Sequence, residues 1–130
     1  MSLQKTFFVA VAIVLANTLT ACGGGAGEGG GKSPEAEIAS RELTPSDPAI
    51  ASIYNRSCRN CHTIAATGAP LTGDQASWAK RMTKGMDTLV DNVVNGFGGM
   101  PPFGMCMDCD LEQFEALTTF MASSPDSNSD

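Results

Sequence analysis

Five cysteines and one histidine occur in 130 residues, and three of these six side chains fall in one pentapeptide, Cys58-Arg59-Asn60-Cys61-His62. At 3.6 residues per turn, Cys58, Cys61 and His62 share one helix face, so two thiols and an imidazole are offered to one ligand. Cys-x-x-Cys-His is the attachment signature of a covalent c-type haem. Its two thiols add to two porphyrin vinyl groups while the adjacent imidazole reaches the iron. A lone histidine leaves no room for histidine dyads or multi-histidine metal sites.

Two of the other cysteines form a second Cys-x-x-Cys, Cys106-Met107-Asp108-Cys109. Four thiolates in two such pairs also describe a zinc knuckle, but the 44 residues separating the pairs are long for a zinc ribbon. A thioredoxin-like dithiol would need a βαβ context, which the sequence lacks. The acidic balance, 14 Asp+Glu against 8 Lys+Arg for a net charge of −6, argues against a nucleic-acid partner.

The elements that must position these side chains read as helices. Thr44-Pro45-Ser46-Asp47 offers a cap, a proline at the first helical position and an acid in the first turn. Ile50, Ile53, Tyr54 and Cys58 then form an amphipathic face. Asp74 caps a second helix carrying Trp78 and Met82, with Gly85 as a stop. Leu89, Val90, Val93 and Val94 mark a third, ended by Gly96. Asp110 and Gln113 form a capping box before Leu111, Phe114, Leu117 and Met121. Strand alternation is missing. The expectation is an all-α domain over 43–123, about four helices with long loops at 62–73 and 96–109, and a disordered tail over 124–130.

The N-terminal residues read as an address. Lys5 precedes a ten-residue apolar run, Phe7 to Ala16, too short to span a bilayer and typical of a signal peptide. Leu19-Thr20-Ala21-Cys22 resembles a bacterial lipobox, which implies a signal peptide over 1–21 and lipid on Cys22. Several acyl chains at ~0.8 kcal/mol per buried CH₂ make such anchoring stable. Residues 22–42, with seven glycines between Gly23 and Gly31, read as a flexible linker.

The folded part resembles class I c-type cytochromes, and closely the cytochrome c5 group. The resemblance rests on Tyr54, CRNCH over 58–62, Ala69-Pro70, Gly73-Asp74, Trp78 with Arg81, Lys84-Gly85-Met86, Asn95-Gly96-Phe97 and Gly99-Met100-Pro101-Pro102. It implies a small monohaem fold with one haem c attached at Cys58 and Cys61 and ligated axially by His62 and Met100. It further implies that the Pro70 carbonyl accepts the proximal imidazole N–H, and that Cys106 and Cys109 form a disulfide. A redox-active thiol pair is the alternative there. Met105 and Met107 share the loop with Met100 and rival it as ligand. Trp78 and Arg81 match positions beside the haem in relatives, and read equally well as a core tryptophan and a solvated arginine.

Together these features predict a membrane-tethered electron carrier rather than an enzyme, at the periplasmic face of a bacterial membrane. Gly23 after Cys22, where an Asp would retain a lipoprotein in the inner membrane, points to the outer one. Partners would be respiratory-chain redox proteins or a periplasmic oxidoreductase, with docking that responds to salt. The alternative is a haem sensor or small peroxidase-like subunit with a labile sixth ligand.

Overall fold

The computed structural model describes residues 33–123, which hold helices and no strand. The expected signal peptide, Cys22, the glycine run and the expected disordered tail after 123 lie outside the described residues. Six α-helices follow one another: α1 (Pro34–Glu42), α2 (Pro48–Arg56), α3 (Arg59–His62), α4 (Gln75–Met82), α5 (Met86–Asn95) and α6 (Leu111–Ala122). Short 3₁₀ turns at Ala65–Thr67 and Pro102–Met105 punctuate the two long loops. None of the described helices is long and apolar enough to cross a membrane.

Helix starts are set by short polar side chains standing ahead of the first turn. Asp47 accepts from the amides of Ala49 (2.8 Å) and Ile50 (3.0 Å), and Pro48 occupies the first helical position. The start expected at Thr44-Pro45 is therefore corrected by three residues, because the carboxylate at 47 captures the orphan amides. Asp74 caps α4 through Ser77 N, and Gly96 ends α5 with φ 79°. Asp110 and Gln113 cap α6 reciprocally, at 2.8 and 3.0 Å.

Two elements depart from the expected four helices. Residues 34–42 are not linker but α1, with Ser33 as cap, Pro34 leading and Glu35 and Glu37 in the first turn. Its Ser40 is buried against the rest of the domain. The helix through Ile53 and Tyr54 does not run on into the Cys-x-x-Cys-His segment. It stops at Ser57, and Cys58 opens the separate single turn α3. Met82, expected in the core, is instead exposed.

The C-terminal helix is the spine of the core. It packs on α2, α4 and α5, burying Phe114, Leu117, Phe120 and Met121, each worth ~1.5–3 kcal/mol of apolar burial. Tyr54 of α2 is fully buried and meets Phe120 edge-on, centroids 5.0 Å apart. Trp78 and Val90 complete the cluster from α4 and α5.

Asp110→Ala removes one half of the α6 capping box and should cost about 1 kcal/mol. In a thermal melt of the haem-loaded protein this lowers Tm by ~4–8 °C, the shift per kcal/mol for a domain of this size.

Candidate metal centre

His62 closes α3 and is 6% exposed. Its Nδ1 lies 2.8 Å from the Pro70 carbonyl oxygen, which can only accept, so Nδ1 carries the proton and donates. The lone pair is thereby left on Nε2, which makes no hydrogen bond among the described residues. Burial pulls the imidazole pKa below its ordinary value; the Pro70 carbonyl opposes this and the Arg81 cation adds to it. A neutral imidazole with one fixed N–H and one open nitrogen is the form that ligates a metal.

The loop after His62 holds it from Pro70 and Thr72, and the residue between them is tied to Trp78. Pro70 O takes the ring N–H, Leu71 O accepts Trp78 Nε1 at 2.8 Å, and Thr72 N donates to His62 O at 2.8 Å. Tyr54 Oη and Thr72 Oγ1 share a hydrogen bond of 2.9 Å, fastening this loop to α2. Trp78 lies beside the imidazole, ring centroids 6.0 Å apart and planes 25° from parallel. Sequence reasoning left Trp78 unassigned, because nothing local marks a contact between rings 16 residues apart. Arg81 turns its guanidinium back onto Ser77 O, 2.6 Å away.

Cys58 and Cys61 flank this imidazole on the same turn and are not bonded to each other. Cys58 is half-buried against the apolar core, and burial pushes its thiol pKa up to about 11. It therefore stays a protonated thiol at neutral pH. The ligand atoms that gather within 4.8 Å of one another among the described residues are those of Cys106, Asp108 and Cys109. Cys58 and Cys61 are not part of that group, so the arrangement lends no support to the four-thiolate zinc alternative. The sulfurs of Cys106 and Cys109 sit at bonding distance, with Cα atoms 5.4 Å apart. Arg56 forks onto Asp108 at 3.0 and 2.8 Å and reaches Cys106 Sγ at 3.2 Å, tying this turn to the end of α2. That pairing spans 52 residues, and no sequence signal foretold it.

Met100 is delivered by a tight turn. Phe97 and Met100 exchange both backbone hydrogen bonds, N to O at 3.1 and 3.0 Å. Gly96 before the turn has φ 79°, and a Cβ there would stand 2.9 Å from Met100 O and 3.0 Å from Pro102 N. Past the prolines, Phe103 (φ 59°), Gly104 (φ 54°) and Met105 (φ 66°) run left-handed, a strain of ~1–3 kcal/mol at each non-glycine position. This bend brings the Gly104 backbone against the Met100 methyl, where an added Cβ would lie 3.1 Å away. Met100 is half-buried, whereas its rivals Met105 and Met107 are 72% and 74% exposed.

The donors present fit a covalently held haem: two unpaired thiols, a neutral imidazole with one nitrogen open, and a half-buried thioether in a separate loop. Comparison with known proteins agrees. Residues 45–121 match the family described as cytochrome c oxidase, cbb3-type, subunit III. The chain belongs to this family of class I c-type cytochromes. It is 46% identical over 46 residues to cytochrome c-555 of Chlorobaculum tepidum, covering 35% of this chain and 43% of that one. With cytochrome c5 of Azotobacter vinelandii it shares 36% over 61 residues, 45% of this chain and 74% of the relative. The matched stretch thus spans less than half of the c-555 relative.

Similar solved structures include the following two. A mono-haem ferrocytochrome c from Shewanella putrefaciens superposes with TM-score 0.53 at 39% identity, covering 63% of this chain and 96% of that one. A crystal structure of an electron-transfer complex of nitrite reductase with cytochrome c gives TM-score 0.52 at 34% identity, covering 58% and 93%. As a member of this family the chain carries covalent haem c, and its helical fold is that of the mono-haem cytochromes.

Gly96→Ala combines a left-handed φ with contacts under 3.1 Å and should cost ~1–3 kcal/mol. Gly99→Ala, with open space around it, should stay within about 0.5 kcal/mol of the parent. Urea titrations of the two haem-loaded variants check the contrast.

Proposed function

We propose that the protein is a one-electron carrier in which Cys58 and Cys61 hold one haem and His62 and Met100 ligate its iron. The observation that carries this reading is the His62 Nδ1 to Pro70 O bond, which leaves Nε2 as the ligating atom beside two unpaired thiols. The haem supplies the Fe(III)/Fe(II) couple.

The chain's contribution begins with attachment. Cys58 and Cys61 would hold the group through two thioethers, each made by adding S–H across a vinyl double bond with nothing leaving, and burial keeps Cys58 in the thiol form such an addition uses. Pro70 fixes the imidazole's tautomer and plane and raises its basicity. The Phe97–Met100 turn and the Gly104 backbone hold the thioether. With His62 and Met100 both holding the iron, the protein would keep small ligands off it while leaving it able to exchange electrons. The soft thioether favours Fe(II) and raises the potential.

The other parts of the reading rest on narrower support. The Leu19–Cys22 lipobox supports a lipid anchor on Cys22 and a place at the periplasmic face of the membrane. The position of Cys106 and Cys109 supports a disulfide that stiffens the turn after the Met100 loop. The similarity to a cytochrome c in complex with nitrite reductase supports an oxidoreductase as redox partner.

Absorption spectroscopy tests the ligation. The oxidised protein should show the weak far-red band of thioether bound to ferric iron, and the reduced protein should not bind carbon monoxide. Met100→Ala should lose the band, bind carbon monoxide and lower the midpoint potential by on the order of 0.1 V, part of the ~0.8 V range that axial ligands span. Met105→Leu and Met107→Leu should keep the band. A high-spin parent protein that binds carbon monoxide would sink the carrier reading.

A further inference from the structure

Helix α1 lies outside the residues that match the family, which begin at 45. A helix of this composition, with no apolar stripe, has little reason to dock by burial alone. Its contacts are instead polar and converge on one stretch of backbone, the His62 turn and its exit. Ser40 Oγ donates to the His62 carbonyl at 3.1 Å, and Ser40 is 1% exposed. Arg41 Nε donates to Thr63 O at 3.4 Å, while its own carbonyl accepts Arg59 Nη2. Glu37 takes the Ala65 amide on Oε2 at 2.7 Å and Arg41 on Oε1 at 2.5 Å.

We infer that α1 is a brace for the proximal histidine, with Ser40 as its principal positioning residue. The His62 carbonyl has two acceptor sites, and Thr72 N fills one at 2.8 Å. Ser40 fills the other. The ring is held at Nδ1 by Pro70 and the backbone at the carbonyl by Thr72 and Ser40, so both ends of the residue are fixed. The Pro70 and Thr72 holds come from the loop after the motif; the Ser40 hold comes from a segment before the matched domain. Glu37 adds a charged acceptor for the amide of Ala65 where the chain leaves the turn. Ser40 makes its side-chain hydrogen bond to the His62 carbonyl and not to a thiol or the ring, so it acts on the iron through His62.

This inference rests on His62 being an iron ligand, and the test separates the two claims. Full-length haem-loaded parent, Ser40→Ala and Ser40→Thr proteins are compared by NMR of the oxidised state, by midpoint potential and by hydrogen exchange. The parent should show His62 ring protons shifted by the iron. Ser40→Ala should move those signals, displace the potential and speed exchange of the Thr72 amide roughly tenfold, the scale of one lost buried hydrogen bond. Ser40→Thr, which keeps the hydroxyl, should restore all three. Parent-like shifts, potential and exchange in Ser40→Ala would overturn the brace and leave ligation standing. A parent protein without iron-shifted imidazole signals would overturn both.

Discussion

One hydrogen bond, from His62 Nδ1 to the carbonyl of Pro70 at 2.8 Å, decides what the surrounding structure can do. A buried imidazole has two nitrogens, and it is useful to a metal only when one lone pair is open and the ring cannot turn. A carbonyl partner accepts only, so it selects the tautomer as well as the plane. Burial then keeps the ring neutral. The constraint reaches outward, because Pro70 must itself be fixed. The same three-residue loop is bound to α4 through Trp78 and to α2 through Tyr54, and Gly73 N follows by donating to Met121 O of α6 at 2.8 Å.

The helices can therefore be understood as supports for two loops. The first carries Pro70 and orients the imidazole. The second carries Met100, and its shape is set by backbone conformation more than by contacts: a glycine cap, a closed four-residue turn, two prolines and a left-handed run. A small domain of this kind has little apolar core to draw on. Much of what it buries belongs to α6 and its partners, and the polar links of the first loop are spliced directly into that core. Loss of a core contact and misplacement of the histidine are thus coupled events.

Local signals made much of this readable in the sequence. The Cys58, Cys61 and His62 spacing needs only helix geometry, Gly96 and the Asp110–Gln113 box announce helix ends, and the family resemblance placed Pro70 beside His62. Helix α1 was misread for an instructive reason. Its capping signature, Ser33-Pro34-Glu35, was present, but the adjoining glycine run and the lack of an apolar stripe suggested linker, and periodicity cannot find a helix that docks through polar groups. The shift from Thr44 to Asp47 is a contest between two capping residues three positions apart, decided by which oxygen reaches two amides. The stacking of Trp78 on His62 and the fork of Arg56 on Asp108 join distant parts of the chain. Pairings of that kind leave no trace in local composition.

The central claim is that the Cys58–His62 segment holds one covalent haem, and peptide mass spectrometry of the full-length protein addresses it most directly. After proteolysis and thiol alkylation, the peptide containing Cys58 and Cys61 should carry the mass of a single haem, with neither cysteine alkylated. The same peptide recovered without haem, and with both thiols alkylated, would contradict the account.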